Sequence, residues 1–152
     1  MKTKIEIKSW LTDSVLFEFE EKNNTIKDTL LEAIKRSADL SGANLNSANL
    51  SGVNLNGVNL NSANLSGANL KGANLSDANL SSADLSDSYL SDAYLRSADL
   101  RSADLRDADL RGADLRDAEL QDVRFYGRGG NKELTKEQLP GFLMALGFKI
   151  VD

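Results

Sequence analysis

The chain of 152 residues contains no cysteine and no histidine. Without cysteine there are no disulfides, no thiolate metal sites and no cysteine nucleophiles. Without histidine the commonest general base is missing, and carboxylates are left as the only strong metal ligands. Long apolar runs are lacking as well. The longest is far too short to span a bilayer, and the opening MKTKIEIKSW has no apolar core of a secretory signal. The expectation is a protein with no membrane partner and a cytoplasmic address. A net charge of −5, a pI near 4.8 and the lack of a basic face argue against direct nucleic-acid binding. The 41% apolar content and the length suit a single soluble unit.

What the chain does have is a rhythm of five. Every fifth residue from Leu40 to Leu120 is leucine, seventeen without a break, and the next step falls on Phe125. Two residues before each beat stands Ala or Val, from Ala38 to Val123, with Ser88 the single departure. The residue just before the beat is usually Asn or Asp. In an α-helix a step of five turns the side chain by roughly 140° beyond a full turn, so no apolar stripe forms. In a strand an odd spacing throws successive leucines onto opposite faces. The Asn, Ser, Gly and Asp between the beats favour turns and disfavour helix interiors. A coil that turns a corner at every pentad remains.

If four pentads complete one square turn, residues twenty apart stack. Leu40, Leu60, Leu80, Leu100 and Leu120 then form one column, and Leu45, Leu65, Leu85, Leu105 and Phe125 a second. Leu50, Leu70, Leu90 and Leu110 form the third, and Leu55, Leu75, Leu95 and Leu115 the fourth. The Ala and Val residues also point inward, where only a small side chain fits beside four leucines meeting at one level. The span 38–125 makes about four and a half coils of an all-β solenoid, on the order of 20 Å long at the spacing of paired strands.

The tandem pattern in ADLSGANLNSANLSGVNL and ADLRSADLRDADLRGADL resembles the pentapeptide-repeat proteins. The resemblance covers residues 38–125. It implies a right-handed quadrilateral β-helix with a solid interior, often dimeric through its C-terminal segment, and no single activity. The best understood members resemble a DNA duplex in shape and charge and bind type II topoisomerases.

The flanks read as caps for the open ends of such a rod, where unpaired backbone and terminal leucines would otherwise invite aggregation. In the segment 1–37, Lys4 to Lys8 alternates polar and apolar. Thr12, Asp13 and Ser14 supply a turn, and Val15, Phe17 and Phe19 alternate again, the pattern of a β-hairpin. Thr25 with Asp28 resembles a capping box, and Ile26, Leu30 and Ile34 recur every four residues. This predicts a helix from about Thr25 to Arg36. In the segment 126–152, Gly127, Gly129 and Gly130 read as a linker. Thr135 with Gln138, and Leu139, Phe142, Leu143 and Leu146 ending at Gly147, read as a helix in which Pro140 is awkward. That helix has two readings: a cap folded over the last coil, or a homodimer contact through residues Leu134 to Asp152.

Charge is uneven along the rod. Residues 38–75 carry only Asp39 and Lys71, whereas 76–125 carry twelve acidic residues against six arginines. Arg96, Arg101, Arg106, Arg111 and Arg116 follow the leucines of the acidic pentads and mute the negative field. The pattern suits a solvated, ion-paired surface better than imitation of a duplex, which needs uncompensated charge. Weak calcium binding is the other reading of an aspartate ladder, and a solvated surface accounts for it better. Tyr89 and Tyr94 replace the outward Asn or Asp on adjacent sides of one coil. Either they pack along the ladder of neighbouring side chains or they anchor a partner.

A filled interior offers no ligand cavity, and regularly spaced exposed carboxylates have no reason to shift their pKa for acid or base work. The expectation is a protein that is not an enzyme and needs no cofactor: a β-helical scaffold that presents flat faces to an unidentified protein. The candidate contacts are Tyr89, Tyr94, Phe142, Leu143, Leu146 and Phe148. The alternatives are a DNA mimic directed at a type II topoisomerase such as gyrase, and a purely structural accessory protein.

Overall fold

The computed structural model describes residues 1–125. The expected C-terminal helix, with Phe142, Leu143, Leu146 and Phe148, lies outside the described residues. Strands β1 (Lys2–Lys8) and β2 (Val15–Lys22) form an antiparallel hairpin, and helix α1 (Ile26–Lys35) follows. From there to residue 125 the chain is a ladder of isolated parallel bridges, each pairing a residue with the one twenty further on. It runs from Asn44 with Asn64 to Asp104 with Arg124. That register is the square coil of four pentads.

One pentad shows how the backbone is satisfied. The N–H of Asn64 donates to Ala43 O at 2.9 Å, that of Leu65 to Asp84 O at 2.7 Å and that of Gly67 to Ser86 O at 2.8 Å. The N–H of Ala68 closes a turn on Leu65 O at 3.0 Å. The N–H of Ser66 points away from both neighbouring coils and is accepted by Asn64 Oδ1 at 3.0 Å. All five donors are used, as a chain with no continuous strands requires. The residue two after each leucine has a φ between 55° and 70° at every step from Gly42 to Asp122. A positive φ at the third residue of a turn is the requirement of type II, which explains why only Gly, Ser and Asp stand there.

The leucines from Leu40 to Leu115 are buried, as are most of the Ala and Val residues beside them, while Leu120, Val123 and Phe125 are half-buried. Ser88, in an inward position, is 1% exposed and its hydroxyl donates to Leu85 O at 2.6 Å.

The N-terminal elements continue this core. Thr25 and Asp28 form a reciprocal capping box, and Ile7, Leu30 and Ala33 are fully buried. Arg36, at the end of α1, lies 5.7 Å and 5.5 Å from the ring centres of Phe17 and Phe19. The first coil has no coil above it, and the cap supplies the missing partners. Asn44 N–H donates to Lys8 O at 2.7 Å, Trp10 N–H to Gly42 O at 3.0 Å, and Lys27 Nζ to Ser51 O at 2.5 Å.

Candidate protein-interaction surface

Tyr89 and Tyr94 stand where the sequence places them, on adjacent sides of one coil. Tyr89 lies between Asn69 and Asp109 in the ladder and Tyr94 between Asn74 and Asp114. They are 57% and 55% exposed, so neighbouring side chains leave more than half of each uncovered. The turn between them holds Ser91 and Asp92. At this outward position Asn or Asp is more than a solvated side chain, because its Oδ1 accepts the N–H two residues on. Asp39, Asn44, Asn49, Asn54 and Asn59 do so in succession at 3.0–3.4 Å. Tyrosine has no acceptor that reaches back to its own backbone, so the two rings replace a structural bond with exposed aromatic surface.

The arginines of the lower rod close onto their own pentads. Arg101, Arg111 and Arg116 each direct Nη2 to the Oδ2 of Asp99, Asp109 and Asp114, at 2.6, 2.7 and 2.6 Å, and Arg106 pairs with Asp104 in the same way. Each Nε bonds the other carboxylate oxygen, making a two-pronged pair. These guanidinium bonds hold the carboxyls of Asp99, Asp104, Asp109 and Asp114 below the usual carboxylate range, against a smaller opposing effect of burial. Arg96 reaches Asp117 at 3.4 Å and Arg101 also meets Glu119 at 3.1 Å. In these four pentads the charge is compensated within the pentad.

Among the described residues no group of three or more carboxylates converges to hold a metal ion. None of the described helices is long and apolar enough to cross a membrane. Trp10 is a residue to which the sequence assigned no role. Its indole N–H donates to Ser62 O at 2.6 Å, across fifty-two positions, and no local pattern signals such a contact.

A family model for pentapeptide repeats matches residues 38–77, 73–112 and 93–127, in eight copies. Among solved structures the chain is similar to alr5209, a pentapeptide repeat protein from Nostoc PCC 7120. The two are 42% identical over 75% of this chain and 93% of that one, with a TM-score of 0.61. It is similar also to a pentapeptide repeat protein of the Arabidopsis thaliana thylakoid lumen, at 27% identity, 61% and 82% coverage and a TM-score of 0.37. HetL of Nostoc sp. strain PCC 7120, described as involved in heterocyst differentiation regulation, matches at 36% identity. It covers 57% of this chain and 48% of its own, with a TM-score of 0.26. No curated protein matches.

Proposed function

The chain belongs to the pentapeptide-repeat family and folds as its right-handed quadrilateral β-helix; on that premise we propose that it is a noncatalytic scaffold that binds a protein partner through the edge carrying Tyr89 and Tyr94. The observation behind this reading is the exposure of the two rings at positions where the repeat otherwise places a hydrogen-bonding Asn or Asp. Large, stiff aromatic side chains contribute much contact area at small entropic cost, and tyrosine is enriched at binding hot spots. The rod's interior, filled by leucine and alanine, supports a role without catalysis. The cytoplasmic setting and the homodimer through residues 134–152 expected from the sequence go with this proposal.

Imitation of a DNA duplex is the weaker reading, because four of the aspartates that would stand for phosphates, Asp99, Asp104, Asp109 and Asp114, are already paired with arginines. The test is capture of partners by the immobilised full chain and by the Y89N/Y94N variant. A protein retained by the first and lost by the second supports the proposal. Equal retention by both overturns the assignment of the edge.

A further inference from the structure

A groove of about 340 Å³ runs down another side of the rod, next to the side of Tyr89, and starts under the cap. Trp10 forms its near edge, Ser82 and Ser102 one wall, Asp84 and Asp104 the floor and Arg124 the far edge. Trp10 is pinned by its two hydrogen bonds to Gly42 and Ser62 on consecutive coils, yet it is 43% exposed. A fixed aromatic wall is therefore offered to solvent.

The two carboxylates of the floor differ in what they have left to give. Asp104 is held by the guanidinium of Arg106, and Arg124 lies 3.9 Å from it. Asp84 accepts only from Ser86, the backbone N–H at 3.0 Å and the hydroxyl at 2.6 Å, both at Oδ1. It forms no ion pair among the described residues and its Oδ2 accepts no hydrogen bond, although the guanidinium of Arg106 lies within electrostatic reach of it. Above Asp84 in the same ladder stands the neutral Asn64, on the coil of Ser62 that anchors the indole. The negative charge thus begins one coil step, about 4.8 Å, beyond the level of that anchor.

We infer that the groove receives one arginine side chain of a partner protein, its guanidinium lying against the Trp10 indole and hydrogen-bonded to Asp84. Asp84, the one carboxylate of the groove without an ion pair, calls for a cation, and the juxtaposition of ring and carboxylate selects arginine over lysine. The planar guanidinium stacks on an aromatic face while presenting parallel N–H donors to a carboxylate. Arg124 at the far edge repels a second cation and fixes the polarity of the groove. This contact rests on the reading of the rod as an interaction module and gives it a second, chemically defined subsite.

Trp10 is the chain's single tryptophan, so its fluorescence reports on this groove alone. The probe is the tripeptide acetyl-Gly-Arg-Gly-amide, titrated into the full chain to ~10 mM, a range suited to a single weak contact. The control is the same peptide with uncharged citrulline. The arginine peptide shifts Trp10 emission saturably, the citrulline peptide does not, and D84N weakens binding about fivefold. Asn64 already holds the Asn form of this position, so D84N keeps the bond to Ser86, and an unchanged melting temperature verifies the fold. No saturable change, an equal response to citrulline, or unaltered binding by D84N overturns the inference. Because partner capture by the tyrosine edge is scored separately, a failure here with that capture intact removes the groove and leaves the parent reading standing.

Discussion

The Oδ1 atom of Asn64 accepts two hydrogen bonds from Ser66, 3.0 Å from its backbone N–H and 2.7 Å from its hydroxyl. The first is the only acceptor offered to the one N–H of the pentad that faces neither neighbouring coil. Removing it in N64A leaves that donor to solvent and lowers stability by about 1 kcal/mol, whereas N64D keeps the acceptor and costs less. Urea midpoints of the two variants check this; equal midpoints contradict it.

Tyr89 and Tyr94 follow the same logic in reverse. Y89N and Y94N each restore an acceptor for the N–H of Ser91 and Arg96, and each stabilises the rod by about 0.5–1 kcal/mol. The exchange of those two amide protons slows in the variants. A residue that stabilises when replaced and weakens binding when replaced is retained for function rather than for folding. Faster exchange or lower stability contradicts the reading.

Much of the fold was legible in the sequence because the leucine spacing admits one geometry. The columns through Leu40, Leu45, Leu50 and Leu55 and the pairing of residues twenty apart follow from it. The hairpin and α1 were legible through alternation and the Thr25–Asp28 capping box. The reason for Asn and Asp before each leucine was not, because an Asx bond to the residue two on leaves no periodicity beyond the one already present. Nor was the left-handed backbone two residues after each leucine, although its restriction to Gly, Ser and Asp was the available signal. Tyr89 and Tyr94 stood out as departures from a repeat. Trp10 did not, since its partners at Gly42 and Ser62 are distant in sequence and backbone in kind.

The corner backbone makes a sharp comparison at Gly57, where φ is +67° and nothing lies within 4 Å of an added Cβ. Space is not limiting there, so any cost is conformational. G57V, with a branched Cβ in the left-handed region, costs about 1–2 kcal/mol. G57D costs much less, since Asp77 one coil below holds φ +57°. Thermal unfolding of the two variants decides it, and equal melting temperatures contradict the account.

Acid acts on the paired aspartates. The carboxyls of Asp99, Asp104, Asp109 and Asp114 titrate below their unfolded value in the native rod. Their contribution is therefore present above about pH 4 and is lost as the pH falls further, through the native pKa values. These groups are partly solvated, so each contributes modestly. The urea midpoint falls between pH 5 and pH 2.5, taken as roughly bracketing that window, and falls less in R101Q/R106Q/R111Q/R116Q, where the native carboxyls return toward their ordinary range. An identical fall in both proteins contradicts the pairing.

The account rests on residues twenty apart lying one above another, and the cysteine-free chain allows this to be measured directly with two introduced labels. Spin labels on S41C and Q121C, eighty residues apart in one column, sit four coil steps from each other. The account predicts a narrow distance distribution centred at about 19 Å plus the label linkers. A broad distribution near ~50 Å, the span of a flexible chain of that length, contradicts it.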